Sequence, residues 1–198
     1  MGEAVCFIDA SNIIRSGRVN YELDFAAFRD LVSRKYLDCS FFYHGAIDLG
    51  KYYQVHDWGT HDYVDLNELE LLANEQNPDA KKMDKQLGFL REIEHKGYAV
   101  FCKPLKCVGG KHKGDCDINI AIHAMRLLHS DIDSFIFLSG DGDLLPLLRE
   151  ITAQGKQVQL FSFTNSTARE LRQFLQGNWV NLGPLRDKCE YIKKKRPE

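Results

Sequence analysis

The sequence lacks any apolar run near the ~18 residues needed to cross a bilayer, and its first residues lack the basic start and apolar segment of a secretion signal. We therefore expect a soluble, cytoplasmic protein with no membrane partner. An excess of one charge is also missing, because 26 Lys and Arg oppose 28 Asp and Glu for a net charge of −2. Binding to nucleic acid would thus need a local basic patch rather than an overall attraction.

No Cys-x-x-Cys pair occurs among the six cysteines, and Cys102 and Cys107 have no matching Cys or His pair at zinc-finger spacing. Cys6, Cys39 and Cys102 lie in or beside apolar, strand-like runs, where a free thiol behaves as a small hydrophobic group. We therefore predict that all six cysteines are reduced and that the protein has no zinc site.

The 198 residues, 44% of them hydrophobic, suffice for a core without disulfides or metal. Apolar runs alternate with amphipathic stretches, which predicts an α/β fold: a three-layer α/β/α sandwich with a mainly parallel, doubly wound sheet. Strands are predicted at 4–9, 40–47, 98–103, 134–139, 157–163 and 179–182, and helices at 21–37, 83–95, 117–129, 144–154 and 166–176. We predict one domain over 1–190, with an insertion at about 49–82 and a basic tail at 191–198.

The insertion is rich in aromatic residues and contains a predicted short helix at 64–75. A long insertion in an α/β domain is usually a lid or a partner surface. Its rings either stack on unpaired bases or pack the insertion onto the domain. The aromatic residues in question are Tyr52, Tyr53, Trp58 and Tyr63.

Carboxylates follow three of the predicted strands. Asp9 ends the first strand, Asp117 starts the helix after the third, and Asp141 and Asp143 follow the fourth. Because ligands bind at the carboxyl ends of parallel strands, we expect these acids to meet. Helix capping is the ordinary alternative for Asp143, Asp115, Asp117 and Ser166, whereas Asp9 and Asp141 fit it less easily.

A helical wheel places Asp117 on the apolar arc of its helix, with Ala121, Ala124, Met125 and Leu128, and places His123 on the opposite, polar side. Two carboxylates ~4 Å apart repel by ~4 kcal/mol at an effective dielectric of 20. Bringing Asp9, Asp117 and Asp141 together therefore requires a cation. Oxygen ligands alone favour Mg²⁺ or Mn²⁺ over zinc.

Three sequence blocks resemble the signature blocks of NYN domains, which belong to the PIN-like nuclease superfamily. The blocks are FIDASN at 7–12, KGDCDI at 113–118 and SGDGDL at 139–144. They are most similar to the bacterial LabA-like branch, and the resemblance extends from about 4 to 182 outside the insertion. It implies a PIN-like sandwich with metal-dependent ribonuclease activity.

The resemblance also implies roles for individual residues. Asp9, Asp117 and Asp141 match the metal-binding acids, and Asp143 matches the second acid of the third block. Asn12 and Ser139 match polar residues that support the site. His123 departs from the pattern, because the family often has aspartate there; its predicted place on the polar face leads us to expect that metal binding survives.

The acids predict a Mg²⁺- or Mn²⁺-dependent phosphodiesterase, and the resemblance implies that it is an endoribonuclease acting on single-stranded or structured RNA. The predicted substrate contacts are Lys111 and Lys113 of a basic loop, and Thr164 and Asn165 after the fifth strand. The alternative is a non-catalytic RNA-binding or protein-interaction module on the same fold. A phosphatase with Asp9 as nucleophile is disfavoured, because Ser11 stands where a second aspartate is usual. A homodimer is left open.

Overall fold

The computed structural model describes residues 2–36, 38–49, 63–73, 80–108, 111–114 and 116–192. Its strands are β1 (Glu3–Asp9), β2 (Asp38–Ile47), β3 (Ala99–Pro104), β4 (Lys106–Val108), β5 (Lys111–Lys113), β6 (Ile132–Leu138), β7 (Gln157–Ser162) and β8 (Trp179–Asn181). Its helices are α1 (Ala10–Gly17), α2 (Phe25–Ser33), α3 (Leu66–Ala73), α4 (Ala80–His95), α5 (Asp117–Leu127), α6 (Leu145–Ala153), α7 (Arg169–Leu175) and α8 (Arg186–Cys189).

Six strands form one sheet in the order β3-β2-β1-β6-β7-β8, and every neighbouring pair is parallel. A hydrophobic core lies on each face of this sheet. Helices α1 to α4 contribute to one core and α5 to α7 to the other. The predicted three-layer α/β/α fold is therefore confirmed.

The central strand β1 is apolar on both faces. Cys6 and Ile8 belong to the core under α1 to α4, whereas Val5 and Phe7 belong to the core under α5 to α7. A strand buried on both sides reads as a continuous apolar run, which is why β1 was predictable. The strand order reverses between β1 and β6, so the carboxyl ends of these two strands flank the crevice where such sheets bind ligands.

The predicted helix at 21–37 is shorter in the structure, where α2 covers Phe25–Ser33. Its start is set by Asp24, whose Oδ1 accepts hydrogen bonds from the backbone N–H groups of Ala26 at 2.9 Å and Ala27 at 3.2 Å. Tyr21 instead packs in the core and donates from its hydroxyl to the carbonyl oxygen of Leu182 at 2.8 Å.

Helix α1 was not predicted and begins directly after β1. Its signal was present, because Asp9 stands at the capping position and Ala10, Ile13 and Gly17 are spaced along one buried face. The basic loop after β3 likewise contains a regular element, the antiparallel β4–β5 hairpin that pairs Lys106 with Lys113.

The described part of the insertion belongs to the core of the domain. Val64 forms an antiparallel bridge with Cys102 of β3, and Leu66 and Leu69 of α3 are buried in the core that also contains α4. Tyr52, Tyr53 and Trp58 lie outside the described residues, as do 193–198 of the basic tail. The division into a domain, insertion and tail remains a prediction.

The five cysteines whose side chains the structure describes, Cys6, Cys39, Cys102, Cys116 and Cys189, are free thiols. Among the residues described, no helix combines the length and the apolar character needed to span a membrane.

Candidate metal centre

Three aspartates meet at the crevice between β1 and β6. Asp9 ends β1, Asp117 is the first residue of α5, and Asp141 follows β6. A carboxylate oxygen from each lies within 4.8 Å of those of the other two. Asp9 is only 1% exposed, whereas Asp117 and Asp141 are half-buried. The structure thus brings together the three acids predicted as metal ligands.

The carboxylate of Asp9 is held by three hydrogen bonds. Its Oδ1 accepts from the Ser11 hydroxyl at 2.9 Å and from the Asn12 backbone N–H at 3.1 Å, which makes Asp9 the N-cap of α1. Its Oδ2 accepts from the Ser139 hydroxyl at 2.8 Å. The expectation that Asp9 fits poorly as a cap was wrong, because α1 starts one residue after β1.

The loop after β6 is tied to the end of β1 by two polar side chains. The Ser139 hydroxyl accepts from the backbone N–H of Asp141 at 3.1 Å, and Asn12 Oδ1 accepts from the backbone N–H of Gly140 at 2.8 Å. Asp141 Oδ1 in turn caps a single 3₁₀ turn by accepting from the Asp143 N–H at 3.0 Å, so the cap interpretation fits Asp141 as well. Asn12 and Ser139 therefore lie where they can orient the acids.

Gly140 is required by close packing at this loop. A Cβ on Gly140 would collide with the carbonyl oxygen of Ser166, and the Gly140 carbonyl accepts from the Ala168 N–H at 2.9 Å. These contacts hold the 3₁₀ turn of Thr164–Ser166 against the site. Ser166 does not cap α7 as suggested, because Ala168 precedes that helix and the Ser166 hydroxyl donates to the Phe163 carbonyl at 3.2 Å.

The other predicted site residues lie around the acids. Asp143 is exposed and is not one of the three clustered acids; it lines a groove with Asp117. Asp143 does not cap α6, because Leu144 stands at that position. Thr164 and Asn165 are exposed, and Asn165 Oδ1 accepts from Asn20 Nδ2 at 3.1 Å. Lys111 and Lys113 are in β5, but their side chains fall outside the described part.

The donor set of the three acids fits a hard divalent cation. It consists of carboxylate oxygens, the ligands that Mg²⁺ and Mn²⁺ prefer. Two unit charges 4.8 Å apart repel by about 3.5 kcal/mol at an effective dielectric of 20, and the burial of Asp9 strengthens the effect. A divalent cation held by Asp9, Asp117 and Asp141 would remove that repulsion.

A family model for the NYN domain matches residues 3–177. The chain belongs to the NYN domain family. A crystal structure of a protein of unknown function from Vibrio parahaemolyticus is similar to this NYN domain with a TM-score of 0.64 and 19% identity, covering 91% of this chain and 93% of that one. That likeness concerns the fold alone. No curated protein matches the chain. Its place in the LabA-like branch remains a prediction.

His123, the departure from the NYN pattern, lies in an aromatic cluster rather than on a polar face. Its Nε2 is 3.3 Å from the Tyr63 hydroxyl, and its ring centroid is 4.5 Å from that of Phe101 and 4.9 Å from that of His44. The wheel was wrong here because Tyr63 and strands β2 and β3 pack against this side of α5. Met125, expected to face inward, is instead 40% exposed.

His44 was missed by the sequence analysis, since a single histidine in the apolar run of β2 is no specific signal. Its side chain is fully buried and stacks on Phe101 at 5.3 Å between ring centroids. Neither ring nitrogen has a hydrogen-bond partner among the described residues. Burial, with a smaller contribution from His123, lowers the pKa of His44 to about 3. The ring is therefore neutral at physiological pH.

Proposed function

We propose that this NYN domain is a divalent-metal-dependent nuclease that hydrolyses phosphodiester bonds in RNA. The observation that carries the proposal is the cluster of Asp9, Asp117 and Asp141, whose oxygens lie within 4.8 Å of one another at the switch point of the sheet. The chain has a nuclease-type fold and an acidic cluster able to hold a metal, and both features support the same function. The endoribonuclease activity, the LabA-like assignment and a cytoplasmic location are part of the proposal.

Asp9, Asp117 and Asp141 would hold Mg²⁺ or Mn²⁺. When bound, the cation supplies Lewis-acid polarisation of a phosphate oxygen and lowers the pKa of water. The Ser139 hydroxyl fixes the rotamer of Asp9, and Asn12 fixes the backbone that carries Asp141. The chain therefore holds Asp9 and Asp141 in one arrangement before any substrate arrives, which lowers the cost of binding a metal.

Asp143 is the candidate for orienting the attacking water. It is exposed, follows Asp141 by two residues and lines the same groove as Asp117. A carboxylate outside the three clustered acids can accept a hydrogen bond from water and hold it in line with the scissile phosphate. We therefore assign Asp143 a catalytic role distinct from metal binding.

The substrate backbone would contact the β4–β5 hairpin and the turn after β7. Lys111 and Lys113 belong to the β4–β5 hairpin, which is two residues from Asp115 and four from Asp117 along the chain. Thr164 and Asn165 lie in the 3₁₀ turn held against Gly140. A lysine-bearing strand close to Asp117 along the chain and an exposed polar turn against Gly140 suit contacts to a phosphate chain.

The decisive experiment is cleavage of labelled single-stranded RNA by the wild type and Asp141→Asn, with Mn²⁺, Mg²⁺ or EDTA. We expect metal-dependent cleavage that falls at least about 100-fold in Asp141→Asn. Asp131→Asn is the matched control, because Asp131 is exposed near the opposite end of β6. A folded wild type that binds metal and RNA but never cleaves would favour the non-catalytic module.

A further inference from the structure

The outer face of α5 carries an apolar stripe that starts beside the acids. Ile118, Ile122 and Met125 are 74%, 43% and 40% exposed, and their spacing of four and three residues places them on one side of the helix. Isolated exposed apolar residues need no explanation, but a contiguous stripe marks a binding surface. From Ile118 to Met125 it extends about 10 Å along the helix.

Part of this stripe forms the wall of a groove between α5 and the start of α6. The groove has a volume of about 490 Å³, within the usual range for ligand sites. Ile118, Ala121 and Met125 line one side, and Pro146 and Leu147 line the other. Asp117 and Asp143 line it as well. The groove is therefore apolar over most of its lining and acidic where it reaches the metal centre.

We infer that this groove receives the unpaired base of a nucleotide next to the scissile phosphate. The inference rests on the proposed nuclease function, which puts a phosphate at the metal held partly by Asp117. The base attached to that phosphate is the apolar part of the RNA that would lie closest to Ile118, which follows Asp117 in the sequence. A base in a duplex is stacked on both faces and paired along one edge, so only an unpaired base can enter the groove.

A second copy of this chain is the competing occupant of an exposed apolar face. Position argues for the nucleotide, because Asp117 lines the groove and is also one of the three clustered acids proposed to hold the metal. The contact surface is also continuous with the site proposed to hold that phosphate.

The test uses the full chain and the double variant Ile118→Ser/Met125→Ser, with Leu71→Ser as control because Leu71 is 73% exposed on α3. Binding of a fluorescent ten-nucleotide uridine RNA is followed by anisotropy with Mn²⁺ in the cold, before cleavage is measurable. We expect affinity about ten-fold lower for the double variant and unchanged for the control. Circular dichroism checks that both variants fold.

Photo-crosslinking gives a readout independent of turnover. RNA containing 4-thiouridine at the cleavage position should crosslink to the peptide of α5 in the wild type and lose that crosslink in the double variant. An abasic nucleotide there should weaken wild-type binding, with no further loss in the double variant.

Three results would overturn the inference, and they separate it from the proposed function. If the wild type binds and cleaves RNA but the double variant matches it, only the groove assignment falls. If sedimentation shows a wild-type dimer that the double variant breaks with RNA affinity intact, the face is a protein interface. If the wild type binds no RNA, the proposed function and the groove assignment fail together.

Discussion

The hydroxyl of Ser139 donates a 2.8 Å hydrogen bond to Oδ2 of Asp9, joining two residues that are 130 positions apart in the sequence. The same hydroxyl oxygen accepts from the backbone N–H of Asp141 at 3.1 Å. One side chain thus links the ends of β1 and β6 and orients two of the three clustered acids. The arrangement of the acidic cluster therefore depends on this link as well as on the acids themselves.

Ser139→Ala should therefore lower the affinity for Mn²⁺ by about 10- to 100-fold, because Asp9 loses the group that fixes its rotamer. Calorimetric titration of Mn²⁺ into the purified protein measures this directly. Ser134→Ala is the control, since Ser134 is also buried and lies near the other end of β6. Equal affinities for the wild type and Ser139→Ala would remove Ser139 from the metal site.

Asp141→Asn should leave the metal-free protein as stable as the wild type or more stable, by about 0–2 kcal/mol. Asparagine keeps the oxygen that accepts from the Asp143 N–H, while one of three clustered negative charges is removed. Thermal unfolding in EDTA gives the comparison. A sharp fall in melting temperature would mean that the Asp141 charge has a stabilising partner. The repulsion that a cation would relieve would then be absent from the cluster.

The buried ring of His44 should make the metal-free protein less stable in acid. Its pKa of about 3 in the folded state lies below the ordinary value of 6.5, so the unfolded chain binds the proton more readily. Stability from this group is full above about pH 6.5 and is lost as the pH falls toward 3. Between pH 6.5 and pH 5 the loss is about 2 kcal/mol.

His44→Phe isolates this contribution. It keeps an aromatic ring against Phe101 and removes two buried nitrogens that have no hydrogen-bond partner in the part of the chain that the structure describes. Urea unfolding in EDTA from pH 7.5 to pH 4.5 should show a shallower decline for the variant and a stability at pH 7.5 equal to or above that of the wild type. Parallel curves for the two proteins would show that His44 binds protons equally in the folded and unfolded states over this pH range.

His123→Ala should destabilise the fold by about 1–3 kcal/mol while leaving the Mn²⁺ affinity unchanged. The ring contacts Phe101, His44 and Tyr63, and it is not one of the three clustered acids. Unfolding of the variant measures the loss of stability, and calorimetric titration of the same protein with Mn²⁺ measures the metal affinity. A large loss of metal affinity in a folded His123→Ala protein would give this residue the role of the aspartate that the family often has there.

Lys111→Ala and Lys113→Ala test the hairpin as a phosphate contact. Each should reduce the slope of log affinity against log salt by about 0.7 for single-stranded RNA if the removed lysine neutralises one phosphate. Lys188→Ala serves as the control, because Lys188 is exposed on α8 near the end of the described chain. An unchanged slope in both hairpin variants would place the phosphate contacts elsewhere.

Sequence reasoning predicted the elements with the most regular apolar patterns. Strands such as β1 and β6 are buried on both faces and read as continuous apolar runs, and the acids at their ends followed from the geometry of parallel sheets. Helix α1 was not predicted, because Asp9 serves both as the end of a strand and as a helix cap. Only local backbone geometry distinguishes an immediate helix from a loop at such a position.

The periodicity of α5 was a weaker guide to the surroundings of its side chains. A helical wheel assigns a helix only one inward-facing side. Helix α5 instead has neighbours on two sides, which are the sheet face under Ala124 and the aromatic cluster around His123. Tyr63, 60 residues away, supplies part of that cluster. Contacts of this range are not encoded in helical spacing, which is why His123 was placed on the wrong side.

By itself, the sequence determined the α/β class, the NYN signature blocks and the three acids, because each depends on local patterning or on residue order. The tertiary structure alone decided how the acids are held, through the bonds of Ser139 and Asn12 that cross from one strand end to another. It also decided that His44 is buried without a hydrogen-bond partner among the described residues, and that a groove runs from Asp117 along α5. These features arise where distant segments pack together, and packing is a property of the whole chain.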